Sequence, residues 1–145
     1  MVMDTSIKLD HVEKMQFETE LNGHKITIDA APEVGGENKG PRPKPLMLLS
    51  LAGCTAMDVI SILRKMRVEP DDFSVEVQAD QTNEHPKHYH KMHVIYSFEG
   101  EDLPYDKLKK AVNLSEERYC GVSAVYRKAV EMTSDIRVNG EVIEE

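Results

Sequence analysis

The stretch from Leu46 to Arg67, LMLLSLAGCTAMDVISILRKMR, constrains the fold more than any other part of the chain. It reads as one helix. Pro45 stands at its entry, Lys65 and Arg67 suit the negative end of the helix dipole, and Pro70 closes it off. Leu46, Leu48, Leu49, Met57, Val59, Ile60, Ile62 and Leu63 cover nearly the whole circumference, and a helix that is apolar all round belongs inside a protein. Residues four or seven apart share a helix face, so Ser50, Cys54, Asp58 and Ser61 fall on one polar seam. Buried polar groups need partners, so something polar must face that seam.

Such a helix needs sheet on more than one side, and the rest of the sequence offers strands. MQFETEL and KITID flank Asn22-Gly23, a pair that supplies the positive φ angles of a tight hairpin turn. A further strand is expected around Ser6 to His11. FSVEVQA places Phe73, Val75, Val77 and Ala79 on one face, and KMHVIYSF does the same with Met92, Val94, Tyr96 and Phe98. LPYDKLKKAV predicts a short helix with Pro104 in its first turn. LSEERYCGVSAVYRKAVEM predicts another, with Ser115 as N-cap, and SDIRVNGEVIEE a short closing strand with an acidic tail. Between the first strands and the long helix lies APEVGGENKGPRPKP, whose four prolines and three glycines from Ala30 to Pro45 predict a loop without regular structure. The order of elements gives an α+β class with mainly antiparallel sheets around a long central buried helix. At 145 residues we expect one domain, residues 1–145. One chain of that size cannot wrap the helix completely, so a dimer is expected.

The formal charge of −8 argues against nucleic acid or an anionic membrane as partner, because both would repel an acidic surface. The N-terminus lacks the apolar run of a signal peptide. The oily stretch from Leu46 to Met57 is broken by Ser50 and Thr55 and stopped by Asp58, which predicts that it is too short to span a bilayer. The expected location is the cytoplasm, where thiols stay reduced and a disulfide is transient.

The chain has two cysteines, Cys54 on the seam and Cys120 in YCGVSAVYRK. Neither belongs to a CxxC pair, which excludes a zinc ribbon. A lone cysteine in an oily helix often only fills space. Asp58, one turn away, raises a thiol's pKa unless a cation neutralises it. A reactive Cys54 therefore requires a cation or hydrogen-bond donors aimed at its sulfur. His85, His88, His90 and His93 crowd HPKHYHKMH, but no further ligand accompanies them at metal-binding spacing, and they read as a solvated strand end. Asp58 reads as a buried acid paired across the seam.

Three segments together carry a family resemblance: GPRPKPLMLLSLAGCTAMDVISILRK, HPKHYHKMHVIYSFEGEDL and KAVNLSEERYCGVSAVYRKAV. They resemble the OsmC/Ohr superfamily of osmotically inducible and organic hydroperoxide resistance proteins, over roughly residues 14 to 138. The resemblance implies an intertwined homodimer with its active sites at the dimer interface. It implies that Cys54 is the peroxidatic thiolate and Cys120 the resolving thiol of a peroxidase acting on organic hydroperoxides. An external dithiol would restore the pair, with no metal or organic cofactor. The sequence departs from the family pattern where members pair an arginine with a glutamate. Residues 5–29 hold no arginine, and the neighbourhood before the helix reads Pro43-Lys44-Pro45 without an acid. Arg42 is the candidate substitute as a thiolate-stabilising cation, with Lys44 and Arg127 behind it, and Asp58 is the other candidate contact to thiolate or substrate. The alternative reading is a non-enzymatic dimer of the same fold that binds a small ligand or senses oxidation. A third leaves both cysteines inert.

Overall fold

In the computed structural model, which describes residues 3–143, the chain forms two compact units, one up to Met47 and one from Leu48 onward. In the first, Asn22 and Gly23 take φ of 51° and 80°, the paired left-handed positions of a two-residue hairpin turn. They join β2 (Gln16–Leu21) to β3 (His24–Ile28), which run antiparallel with Leu21 opposite His24 and Phe17 opposite Ile28. The further strand lies later than Ser6 to His11: β1 is Asp10–Glu13, antiparallel to β2, with an irregularity between His11 and Glu13.

The loop from Ala30 to Pro45 contains one turn of 3-10 helix at Pro32–Val34, where the sequence predicts no regular structure. Pro32 suits its first position, which needs no N–H. Asp29 organises the loop. It is buried, its Oδ1 accepts from the Ala30 amide at 2.7 Å, and its Oδ2 accepts from the Glu37 and Lys39 amides, each at 3.1 Å. Gly36 passes so close to Ala30 that a Cβ would stand 2.0 Å from the Ala30 carbonyl oxygen, so no larger residue fits this return.

The second unit is built on α1 (Leu46–Lys65), whose Leu51, Val59 and Leu63 are fully buried. They share one apolar cluster with Met92, Val94, Tyr96 and Phe98 of β5 (Tyr89–Glu99) and with Leu108, Ala111 and Val112 of α2 (Tyr105–Leu114). All four predicted inward residues of β5 are buried, and the matching face of β4 (Asp72–Gln81) packs against the same cluster. The sheet order is β4-β5-β6-β7, with β4 antiparallel to β5. β6 (Glu131–Val138) runs parallel to β5 because the chain between them crosses over through its helices. A second Asn-Gly turn, Asn139-Gly140, adds the short strand β7 (Glu141–Val142), so SDIRVNGEVIEE, which predicts one closing strand and a tail, contributes to two strands.

Two expectations about α1 change. At 20 residues it is long and apolar enough to cross a membrane, since the oily run resumes after Asp58. Within this chain only the stripe of Leu51, Thr55, Val59 and Leu63 is buried, whereas Leu49 and Met57 are 66% and 76% exposed.

The Asp29 loop anchor makes a checkable statement. The Lys39 amide is the largest cause holding the Asp29 carboxyl below its ordinary 3.8; burial opposes it, and the Ala30 and Glu37 amides and the Arg42 charge add to it. A depressed folded value means that the stabilisation is complete above the ordinary aspartate value and disappears as pH falls through the lower folded value. Asp29→Ala should therefore speed hydrogen exchange of the Glu37 and Lys39 amides at neutral pH. The wild type should approach the variant only in that acid range.

Candidate active site

The site grows from a break in a helix. α2 does not end at Leu114 but runs on through one π-helical turn, Ser115–Tyr119, in which the Cys120 amide donates to the Ser115 carbonyl at 2.8 Å. Cys120 then turns extended, with φ −75° and ψ 103°, and α3 (Gly121–Tyr126) begins. Ser115 is therefore not an N-cap, as its sequence context predicts. The cap is Cys120, whose Sγ accepts from the Ser123 amide at 3.3 Å. Wide turns of this kind often mark functional positions, and this one swings the Cys120 side chain off the α2 axis.

The result brings both cysteines together. Cys54 Sγ, Cys120 Sγ and a carboxylate oxygen of Asp58 all lie within 4.8 Å of one another. Both cysteines are free, Cys54 half-buried and Cys120 buried. Cys54 also receives a hydrogen bond from the Val122 amide, so the first turn of α3 supplies N–H groups to both sulfurs. Burial pushes the Cys54 thiol above its ordinary 9.0. The Cys120 hydrogen bond and the nearby Cys120 and Asp58 charges push the same way, and only the Val122 amide opposes them. The resting Cys54 is thus a neutral thiol beside Cys120 and Asp58.

The predicted seam is only partly the one observed. Cys54 and Asp58 face the interior, but Ser50 and Ser61 are exposed. The sequence reading missed Thr55, a fully buried hydroxyl that ties three elements together. Its Oγ1 lies 2.8 Å from Tyr96 Oη on β5 and 2.8 Å from Ser115 Oγ in the π turn. Ser115 Oγ in turn donates to Asp58 Oδ2 at 3.0 Å, and Tyr96 Oη donates to Glu116 Oε1 at 3.0 Å. Ser115 is thus the polar partner that the seam demanded. Two sequence signals existed: a tyrosine on the inward face of β5, and Gly121 directly after Cys120 as a helix breaker.

Arg42 donates Nη1 to the Gly40 carbonyl and Nη2 to Asn38 Oδ1, both at 2.8 Å, within its own loop. Arg127 donates to the Glu116 carbonyl. A cleft of about 520 Å³ opens beside Asp58, lined also by Ile62, Lys65, Lys110, Leu114 and Tyr119. Among the described residues the histidines form no ligand group, although β5–β6 pairing sets His93 Nε2 3.0 Å from Asp135 Oδ2. Two sulfurs and one carboxylate are one donor short of the four of a structural zinc site and match in number the three protein ligands of an open one.

Comparison with known proteins agrees with this architecture. The pattern of the OsmC-like protein family matches residues 36–135. Protein YhfA of Escherichia coli K12 is 33% identical over 117 residues, which is 81% of this chain and 84% of that protein. A crystal structure of a hypothetical protein from Aquifex aeolicus VF5 superposes with a TM-score of 0.78 at 26% identity, over 95% of this chain and 99% of that one. The organic hydroperoxide resistance protein OsmC of Legionella pneumophila superposes with a TM-score of 0.65, over 95% and 99% of the two chains. At 19% identity this likeness concerns the fold alone.

The raised Cys54 thiol sets an expected pH profile. Alkylation of Cys54 by iodoacetamide, followed by peptide mass mapping, should have its midpoint above 9.0. Asp58→Asn removes one upward push, so it should lower that midpoint and speed alkylation near pH 8 several-fold. An unchanged profile in Asp58→Asn would show that the carboxylate does not act on the thiol.

Proposed function

The chain belongs to the OsmC-like protein family, and from that premise we propose that it is a thiol-dependent peroxidase that reduces organic hydroperoxides. The observation that carries the proposal is the closeness of Cys54 Sγ and Cys120 Sγ, within 4.8 Å of one another on two different helical segments. The Cys54 sulfur attacks the peroxide O–O bond, becomes a sulfenic acid and releases an alcohol. The Cys120 thiol then attacks that sulfur, forming a disulfide and releasing water. An external dithiol returns the pair to two thiols. The apolar part of the cleft beside Asp58 favours a peroxide with an organic tail over hydrogen peroxide.

The thiol is activated by hydrogen bonds from α3 and by removal of its proton. The guanidinium of Arg42, the substitute suggested by sequence, is engaged with Asn38 and Gly40. A second reading, a slow redox sensor, is favoured by the raised Cys54 thiol, because a neutral thiol is a weak nucleophile. The rate separates the two. Reduced protein mixed with one equivalent of tert-butyl hydroperoxide should lose both thiols within seconds, with a Cys54–Cys120 disulfide in the intact mass. Cys54→Ser should abolish the reaction, and Cys120→Ser should stop it at a sulfenic acid trapped by dimedone. Oxidation no faster than that of a free thiol would sink the peroxidase reading in favour of the sensor.

The proposal includes a homodimer. Leu49 and Met57 on α1 and Val125 on α3 are each at least 66% exposed, and large side chains exposed along a core helix call for a cover. A second copy of the chain supplies it. Sedimentation equilibrium should give twice the chain mass for the wild type and a shift toward the monomer for Leu49→Glu with Met57→Glu. A monomeric wild type at micromolar concentration would remove the dimer from the proposal.

A further inference from the structure

Both cysteines of the chain and one carboxylate converge on a single point. Cys54 and Asp58 stand on successive turns of α1, and Cys120 caps α3, with one ligand atom of each within 4.8 Å of the other two. Three atoms so placed share a centre no more than about 2.8 Å from each, roughly 0.5 Å beyond a zinc–sulfur bond. Side-chain torsions close a gap of that size.

The groups behind these three atoms suit an ion as well. Ser115 Oγ donates to Asp58 Oδ2 at 3.0 Å and is itself held by Thr55, so the carboxylate is oriented and keeps lone pairs for a further partner. The Val122 amide donates to Cys54, and the Ser123 amide to Cys120 Sγ at 3.3 Å. Outer hydrogen bonds of this kind hold metal ligands in orientation. Asp58 also borders the cleft of about 520 Å³, which presents Lys65 and Lys110. Two thiolates and a carboxylate exceed the charge of a dication by one, and these ammonium groups offset the excess.

We infer that Cys54, Asp58 and Cys120 bind one thiophilic divalent cation, zinc in the first place, with water from the cleft in the fourth position. Two sulfur donors select such an ion over magnesium or calcium. Three protein ligands and one open position is a zinc arrangement. The hydrated ion enters, two zinc–sulfur bonds form, two S–H protons leave to solvent, and no electron moves. A coordinated thiol gives up its proton outright, so the raised Cys54 thiol lowers the affinity at neutral pH without closing the site. The same two sulfurs cannot hold an ion and a disulfide together, so a bound ion keeps the pair reduced. That consequence rests on the proposed peroxide chemistry, whereas the binding site rests on the placement of the three ligands alone.

Cobalt(II) is the probe, since it occupies tetrahedral zinc sites and reports sulfur ligands by colour. Added to the reduced wild type without oxygen, it should give thiolate-to-cobalt charge-transfer absorption that saturates at one ion per chain and is bleached by zinc chloride. Cys54→Ser and Cys120→Ser should each weaken binding about a hundredfold or more, and Asp58→Asn roughly tenfold. His88→Ala with His90→Ala should change nothing. One equivalent of zinc should also slow iodoacetamide alkylation of Cys54 roughly tenfold, with recovery on adding EDTA, a readout that needs no variant. A wild type without the charge-transfer band, or one ion for two chains, would overturn the site. So would unchanged affinity in Asp58→Asn, or binding that is lost with the histidines instead. Peroxide is absent from these assays, so a failed peroxidase test and a failed metal site are separate results.

Discussion

Everything in the second unit turns on the Thr55 hydroxyl. It is a polar atom placed in the fully buried stripe of α1, and burial without partners would penalise the fold. Its two contacts, to Tyr96 on β5 and to Ser115 in the π turn, join the helix to the sheet and to the segment that delivers Cys120. The apolar cluster holds α1, β5 and α2 together without fixing their rotation to better than the shapes of leucine and valine allow. Directional bonds from one hydroxyl remove that freedom. The separation of the two sulfurs is set by the same three elements, so the polar network below them fixes the thiol geometry above.

The donors present are backbone amides, Val122 to Cys54 and Ser123 to Cys120, in the first turn of α3. They come into position because the π turn ends α2 and Cys120 itself caps the next helix. Backbone amides carry partial charge only, which is too little to hold a buried thiolate against desolvation and a neighbouring carboxyl group. The resting Cys54 sulfur is therefore protonated, and the Asp58 charge beside it adds to that upward push.

Much of this was legible in the residues. Alternation along KMHVIYSF fixed which face of β5 is buried, Asn22-Gly23 fixed a hairpin, and the run from Leu46 fixed α1 to within two residues at its end. The cysteine pairing followed from resemblance rather than from spacing, because no periodicity relates positions on two separate helical segments. The π turn was not legible: LSEERYCG has a good N-cap pattern, and tertiary packing of the Ser115 hydroxyl overrode it. Thr55 was passed over because a helix wheel groups residues by angle and Cys54 had already claimed the polar face. A neighbour 100° away looked like part of the apolar wall. Whether a hydroxyl in a wall is an interruption or an anchor depends on what stands opposite. Here that is a tyrosine 41 positions later in the sequence.

The same reasoning bears on why α1 is so apolar. Four of its residues are buried in this chain, one of them Thr55, and Leu48, Cys54 and Ile62 pack beside the core. The apolarity of Leu49 and Met57 contributes nothing to that core, since both remain exposed. Two demands are therefore written on one helix: a narrow, partly polar stripe that aligns the thiols, and broad apolar flanks that favour a cover.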